Sequence, residues 1–257
     1  MPTVQTLLQG FSAATTEGGL AYCTVTLIRG QAPTLVDVGY QARREPLVER
    51  LAQLGLRPED IGRVILTHAH WDHSFNLSYF PNAEVVLHQD EYEYARQPHK
   101  DDWATPAFVA DILARAKVVK PVREGDEIEP GVRVMATPGH SPGSMTVLVD
   151  GPGGETIGLC GDALPSRAAT SVLMPRWVFW DERAAHRSAQ RIVERCTEIY
   201  PGHDRPFRAE NGSFRYIEPT QIALVNPPRD DDGAVLAAVR EQEIVFTTGI
   251  LPFARRA

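Results

Sequence analysis

A chain of 257 residues, 43% hydrophobic and 23% charged, has an ordinary globular composition and the length to bury a sizeable core. Its net charge of −7 argues against a non-specific nucleic-acid binder, which carries a basic face. No run approaches the roughly 18 apolar residues of a membrane span. Residues 1–19 lack the basic and apolar regions of a secretory signal. The widely spaced Cys23, Cys160 and Cys196 make no disulfide framework, so a cytoplasmic protein with reduced thiols is expected.

Strand-like and helix-like segments interleave without internal repeats or a long linker. Residues 21–28 (AYCTVTLI) and 33–38 (PTLVDV) read as strands joined by the Arg29-Gly30 turn. Residues 45–54 place Leu47, Val48, Leu51 and Leu54 at helical spacing, with Gly55 as the stop, and Pro58 opens a short helical turn. Residues 63–67 form a buried strand, 84–88 the next one, 90–95 a helical turn and 105–117 a helix. Further strands are predicted at 132–136, 145–149 and 156–160. A helix follows at 181–196, with Asp181 as its N-cap, then a short strand at 198–200. Beyond it come an acidic loop at 230–232, a helix-like stretch at 234–242 and an apolar run at 244–253. The pattern predicts a layered α/β (α+β) fold in a single domain over residues 1–257.

Only 8 residues are histidine, yet three of them and an aspartate crowd into Thr67-His68-Ala69-His70-Trp71-Asp72-His73, directly after an apolar run. Imidazole nitrogens and carboxylate oxygens are the donors that a divalent cation of borderline softness takes. At the end of an extended strand His68 and His70 point the same way. Asp72 and His73, just past the turn, can aim at a second point nearby. One loop can thus feed two metal positions, and the remaining donors must come from elsewhere. Three candidates each follow a strand-like run and sit beside glycine, where backbone can approach a ligand closely: His140 in Thr137-Pro138-Gly139-His140, Asp162 in Cys160-Gly161-Asp162, and His203 in Tyr200-Pro201-Gly202-His203. His88, His99 and His186 have no such setting, and Trp71 reads as packing or a site wall.

This set resembles the metallo-β-lactamase superfamily. Its HxHxDH signature stands as His68-Ala69-His70-Trp71-Asp72-His73, and its later histidine, aspartate and histidine match His140, Asp162 and His203 in the same order. The resemblance spans roughly residues 20 to 210. It implies an αββα sandwich with two metal ions, one on His68, His70 and His140, the other on Asp72, His73 and His203, with Asp162 bridging them. Zinc is the expected metal, with iron and manganese as alternatives. Such a pair lowers the pKa of a shared water, supplies hydroxide near neutral pH and polarises the oxygen under attack. The resemblance gives Asp72 a second, catalytic role, moving a proton to the leaving group. Cys160 reads as a buried residue rather than a ligand.

The expected substrate is a small ester, lactone or thioester. Residues 137–143 (TPGHSPG) and 90–95 (DEYEYA) resemble the lactonase branch, although the tyrosine that acyl-homoserine lactonases carry after the bridging aspartate is replaced by Ala163-Leu164-Pro165. Glyoxalase II is a poorer match, because only about fifty residues follow His203 and they hold an acidic patch. A phosphodiesterase or RNA-processing nuclease of the same fold is the alternative, suggested by residues 76–81 (NLSYFP) and 201–207 (PGHDRPF) and opposed by the acidic balance. A non-catalytic metal-binding protein is the other alternative. Residues 168–180 (AATSVLMPRWVFW), flanked and crossed by Arg167 and Arg176, read either as a hydrophobic pocket wall or as the contact of a homodimer.

Overall fold

Alternate residues of the central strands enter different cores, as a sheet covered on both faces requires. The computed structural model describes residues 1–15, 18–210 and 212–222, with backbone alone at 14, 15 and 18. In chain order it forms β1 (Thr3–Leu8), β2 (Phe11–Thr15), β3 (Gly18–Tyr22), β4 (Val25–Arg29), β5 (Pro33–Val36), α1 (Arg44–Gln53), β6 (Arg63–Ile65), α2 (Trp71–Ser74), β7 (Glu84–His88), α3 (Gln89–Tyr94), α4 (Phe108–Ala114) and β8 (Val118–Val122). A sheet in the order β1-β4-β5-β6-β7-β8 results, antiparallel up to β5 and parallel from there, while β2 and β3 pair as a hairpin. Then come β9 (Glu127–Glu129), β10 (Val132–Ala136), β11 (Met145–Asp150), β12 (Thr156–Gly161), α5 (Glu182–Arg195), β13 (Glu198–Pro201), β14 (Phe207–Glu210) and β15 (Ser213–Tyr216). They form a second sheet running β15 to β9 in reverse order, antiparallel except for the β12–β13 pair, which α5 connects.

The layers follow from the side chains. Ile28, Val36, Ile65 and Val86 of the first sheet meet Val134, Val147, Val149 and Leu159 of the second in a core between the sheets. Their neighbours Leu27, Leu35, Val64 and Val85 face the other way, onto Leu47 and Leu51 of α1 and Val109 and Leu113 of α4. Met135, Leu148 and Cys160 leave the second sheet's outer face to pack on Ala189 and Ile192 of α5. Helix, sheet, sheet and helix therefore stack as an αββα sandwich, each fully buried leucine or isoleucine contributing roughly 2 kcal/mol of transfer free energy.

The expected helix at 45–54 is α1, and Gly55 after it takes a left-handed φ of 73°, the conformation of a C′ stop. Asp181 caps α5 by accepting from the Ala184 amide. Elsewhere tertiary bonds redraw the boundaries. The strand expected at 21–28 breaks at Cys23-Thr24, because the Thr24 amide donates to Gly202 O (2.6 Å) and its hydroxyl to Pro201 O (2.6 Å), tying the chain to the end of β13. The helix expected at 105–117 shrinks to α4, since Asp102 turns the chain by accepting from the Ala104 and Thr105 amides, and Val118 already belongs to β8. The edge strands β1, β8, β9 and β15, the adjoining β14 and the hairpin partner β2 were not expected. Met1–Pro219 forms one compact unit, and of Thr220–Ala257 only residues 220–222 are described. The elements expected at 230–232, 234–242 and 244–253 lie outside the described residues, and the single domain expected over 1–257 extends past them.

Candidate metal centre

β6, β10, β12 and β13 end on the same side of the sandwich, and each is followed by a donor-bearing loop. Two close approaches fix the loops against one another. Thr67 O accepts from the Met145 amide of the opposite sheet (2.9 Å), and the Thr67 side chain packs on Gly161, whose φ of 48° and lack of a side chain leave it room. Gly202 lies against the Asp162 carboxylate, where a Cβ would collide with Oδ1 and with the Gly161 backbone.

All seven expected donors converge. His68, His70 and His140 stand with ring centroids 4.4 to 4.9 Å apart. Ligand atoms of three sets lie within 4.8 Å of one another: His68 with His70 and His140, His68 with His73 and Asp162, and Asp72 with His73 and His203. Asp162 lies between the histidine sets. Its Oδ2 is 3.5 Å from His140 Nε2 and 3.2 Å from His203 Nε2, and its Oδ1 is 3.3 Å from His73 Nε2. Each of the seven is at most 8% exposed. His88 instead caps α3 through its ring, and His99 and His186 are exposed. Cys160 points into the core under α5, away from the cluster.

Outer partners decide which ring nitrogens face inward. His140 Nδ1–H donates to Trp177 O (2.7 Å), and His73 Nδ1–H to Asp37 Oδ2 (2.8 Å). His68 Nδ1 is 3.1 Å from the Thr67 hydroxyl, whose own proton goes to Asp37 Oδ2 (2.9 Å). In each of these rings Nε2 therefore carries the lone pair toward the centre. His70 is turned the other way, with Nε2 3.5 Å from Asp102 Oδ2 and Nδ1 3.0 Å from His140 Nε2. His68 Nε2, His73 Nε2 and Asp162 Oδ1 are buried and have no hydrogen-bond partner. Buried acceptors without a donor cost of order 1–3 kcal/mol each. A hole lined by lone pairs and carboxylate oxygens fits a cation, and the donor set is the one borderline divalent ions take.

The electrostatics divide the cluster. Burial, then the neighbouring histidines, hold His68 well below the usual imidazole range and His140 at about 4. Burial also opposes charge on His73 and His203, but the carboxylates of Asp72 and Asp37 for the first and of Asp162 for the second outweigh it, and both are raised. Burial likewise opposes the Asp162 carboxylate, yet His203 and His73 pull it well below the ordinary value.

Three supporting carboxylates escaped the sequence reading. Asp37, with a left-handed φ of 56°, accepts from the Thr67 amide (2.8 Å) as well as from its hydroxyl and from His73. The signal was an aspartate closing the apolar run PTLV, read there as strand. Asp102 faces His70 and accepts from Thr105 and Tyr94; burial opposes its charge, but His70 first, and then these two bonds, bring it down to about 2. Glu91, wholly buried, accepts from the Ala69 amide (2.8 Å), the Ser141 hydroxyl (2.7 Å) and the Gly143 amide (2.9 Å), clamping the first histidine loop to the His140 loop. Of residues 168–180, Trp177 supplies the carbonyl that holds His140, and the Phe179 ring lies 5.1 Å from His70 and 5.5 Å from His140.

The sequence profile of the metallo-beta-lactamase superfamily matches residues 18–203. The chain is 32% identical over 210 residues to metallo-beta-lactamase domain-containing protein 1 of Xenopus laevis, covering 80% of this chain and 81% of that one. It is 28% identical over 163 residues to an N-acyl homoserine lactonase of Bacillus cereus, 62% of each chain. Among solved structures, AidC, a dizinc quorum-quenching lactonase in complex with a product, superposes with a TM-score of 0.61 at 19% identity over 80% of this chain and 81% of that one, a likeness of fold. No helix among the described residues is long and apolar enough to cross a membrane. With the four donors of the HxHxDH pattern and the three later ones gathered at one end of an αββα sandwich, the chain belongs to the metallo-β-lactamase superfamily and is a metal-dependent hydrolase.

Proposed function

We propose that the chain hydrolyses a small ester, lactone or thioester at a pair of divalent cations, zinc before iron or manganese. The observation that carries the pair is the Asp162 carboxylate, which reaches His140 with one oxygen and His73 with the other. His68, His70 and His140 would hold one ion, Asp72, His73 and His203 the second, and Asp162 both. When bound, the ions supply a water of lowered pKa and polarise the oxygen under attack.

The protein's own groups do the rest. Asp37 and the Trp177 carbonyl hold the rings of His73 and His140 in one tautomer and one orientation. Phe179 packs edge to face against His70 and His140 and makes that side of the centre apolar. Asp72, its Oδ2 3.5 Å from His203 Nε2 and 3.7 Å from His73 Nε2, would hold a proton and pass it to the leaving group. The likeness to N-acyl homoserine lactonases supports carbonyl chemistry on a small molecule, and the dizinc lactonase of the same fold supports zinc. Ala163-Leu164-Pro165 after Asp162 points to a substrate other than the acyl-homoserine lactones themselves. The three buried free cysteines suit a cytoplasmic location, and we treat residues 1–257 as one domain and 168–180 as either a wall of the substrate site or the contact of a homodimer.

The test is metal analysis of the zinc-loaded protein, followed by γ-lactones, thioesters, bis-p-nitrophenyl phosphate and a penicillin. Two ions per chain with turnover of a lactone or thioester is the expected result. Preference for the phosphodiester would move the reading to a phosphodiesterase. Bound metal with no turnover of any of them would make the centre non-catalytic.

A further inference from the structure

Three of the four tryptophans stand at the surface near the centre, with Trp103 61%, Trp180 56% and Trp177 37% exposed. Trp103 meets Trp177 edge to face at 5.8 Å and Phe179 at 5.4 Å, and Phe179 in turn meets the His70 and His140 rings at 5.1 and 5.5 Å. Aromatic surface thus runs unbroken from two of the donors out to solvent. Exposed indoles are unusual without a ligand or partner to cover them.

The patch is built on fixed backbone. The Phe179 amide donates to His140 O (3.0 Å), and the Asp181 amide to Gly139 O (3.1 Å), so residues 177–181 run beside the His140 loop. From the other side, the Trp71 amide donates to Ala104 O (3.0 Å), and Asp102 locks the turn that carries Trp103 through the Ala104 and Thr105 amides. Two loops distant in sequence therefore present their rings to one another without having to order on binding, which preserves affinity. Arg176 stands at the rim, its guanidinium 5.3 Å from the Trp177 ring. An apolar occupant suits such a surface, and one lying on it runs directly onto the donor cluster.

We propose that Trp103, Trp177 and Phe179 form a subsite for the alkyl chain of an acyl substrate, on the side of the centre carrying His70 and His140. This rests on the ester, lactone or thioester reading above, and it narrows the substrate class to acyl compounds whose chain is long enough to reach the tryptophan pair. Each methylene placed on the rings adds up to about fourfold to binding, the ordinary return for apolar area removed from water.

Binding without turnover separates the two claims. Butyrate, hexanoate and octanoate are titrated into the zinc-loaded protein, followed by tryptophan fluorescence and calorimetry. Affinity is expected to climb with each added pair of methylenes. Trp103→Ala and Trp177→Ala are each expected to cost octanoate about tenfold and to flatten the climb, and Trp103→Phe to restore part of it. Metal content and circular dichroism of the variants identify any that fail to fold, and the Phe variant then carries the comparison. A flat series in the unaltered protein overturns the subsite, as does an equally steep climb in both alanine variants. Sedimentation showing a dimer that Trp103→Ala dissolves also overturns it, in favour of a second copy on the patch. A steep climb without turnover of any acyl substrate would keep the subsite and sink the hydrolytic reading. Turnover of lactones with no dependence on chain length would do the reverse.

Discussion

The two donor groups use similar residue types but are held in opposite ways. Around His68 and His140 the outward ring nitrogens meet neutral acceptors, the Thr67 hydroxyl and the Trp177 carbonyl, and burial, then the crowded imidazoles, weaken both as bases, while the group's third ring, His70, faces the Asp102 carboxylate. Around His73 and His203 the partners are carboxylates, Asp37, Asp72 and Asp162, which strengthen both rings as bases. His68 and His140 offer neutral lone pairs that shed protons readily. The second offers more negative charge, which attracts a cation and a proton alike. Sequence spacing makes the groups look equivalent, whereas the carboxylates around the rings make them different.

Asp162→Ala breaks the comparison at its shared member and is the largest effect expected. Both groups lose a donor, so metal content should fall and kcat/KM drop by about a thousandfold or more, read by elemental analysis and steady-state kinetics. Retention of both ions and of activity would remove the bridging role. Next come the outer carboxylates. Asp37→Asn should weaken the second group's ion, and Asp102→Asn the first group's, each by about 10–100-fold in chelator competition on cobalt-substituted protein. Equal loss at both positions in either variant would mean that the groups are not independently supported.

Acid should separate the groups next. His73 and His203, raised above the ordinary imidazole value, take up protons at higher pH than His68 and His140, which are lowered. As pH falls, protons therefore compete first at the second group, and affinity there declines by about tenfold per pH unit for each proton displaced. Stepwise loss of the cobalt spectrum, second group before first, is the expected outcome, and simultaneous loss would sink the ordering. The smallest effect lies outside the donors. Asp181 caps α5, whose Ser188 hydroxyl donates to Pro138 O (2.7 Å) beside the His140 loop. Asp181→Ala should cost about 1 kcal/mol in urea unfolding and leave the second group's metal affinity unchanged.

The layered α/β character and the seven donors were legible because they leave local signatures: apolar strand runs, a dense block of histidines, and donors beside glycine at strand ends; the αββα arrangement followed from the family resemblance. Asp37, Glu91 and Asp102 left none. Asp37 sits in a stretch that reads as uninterrupted strand, and only its left-handed backbone reveals a chain turning back toward Thr67. Glu91 and Asp102 each stand beside another acid, Asp90 and Asp101, and nothing local tells the buried member from the exposed one. Their partners lie 22 to 52 residues away for Glu91, so its role is a property of packing. Edge strands such as β15, half exposed along its length, lack the apolar run that marks the centre of a sheet.

Thr67 O is held by the Met145 amide, so the first histidine loop leans across the gap between the sheets, while Asp162 and His203 rise from the far one. Any ion shared by these donors acts as a rivet through both layers. Its binding energy then resists shear of one sheet over the other, and stability rises with free metal by mass action. Stripping the ions should loosen the loaded rim first, with the Met145 amide among the earliest to exchange its proton with solvent, while the strands at the opposite end stay closed.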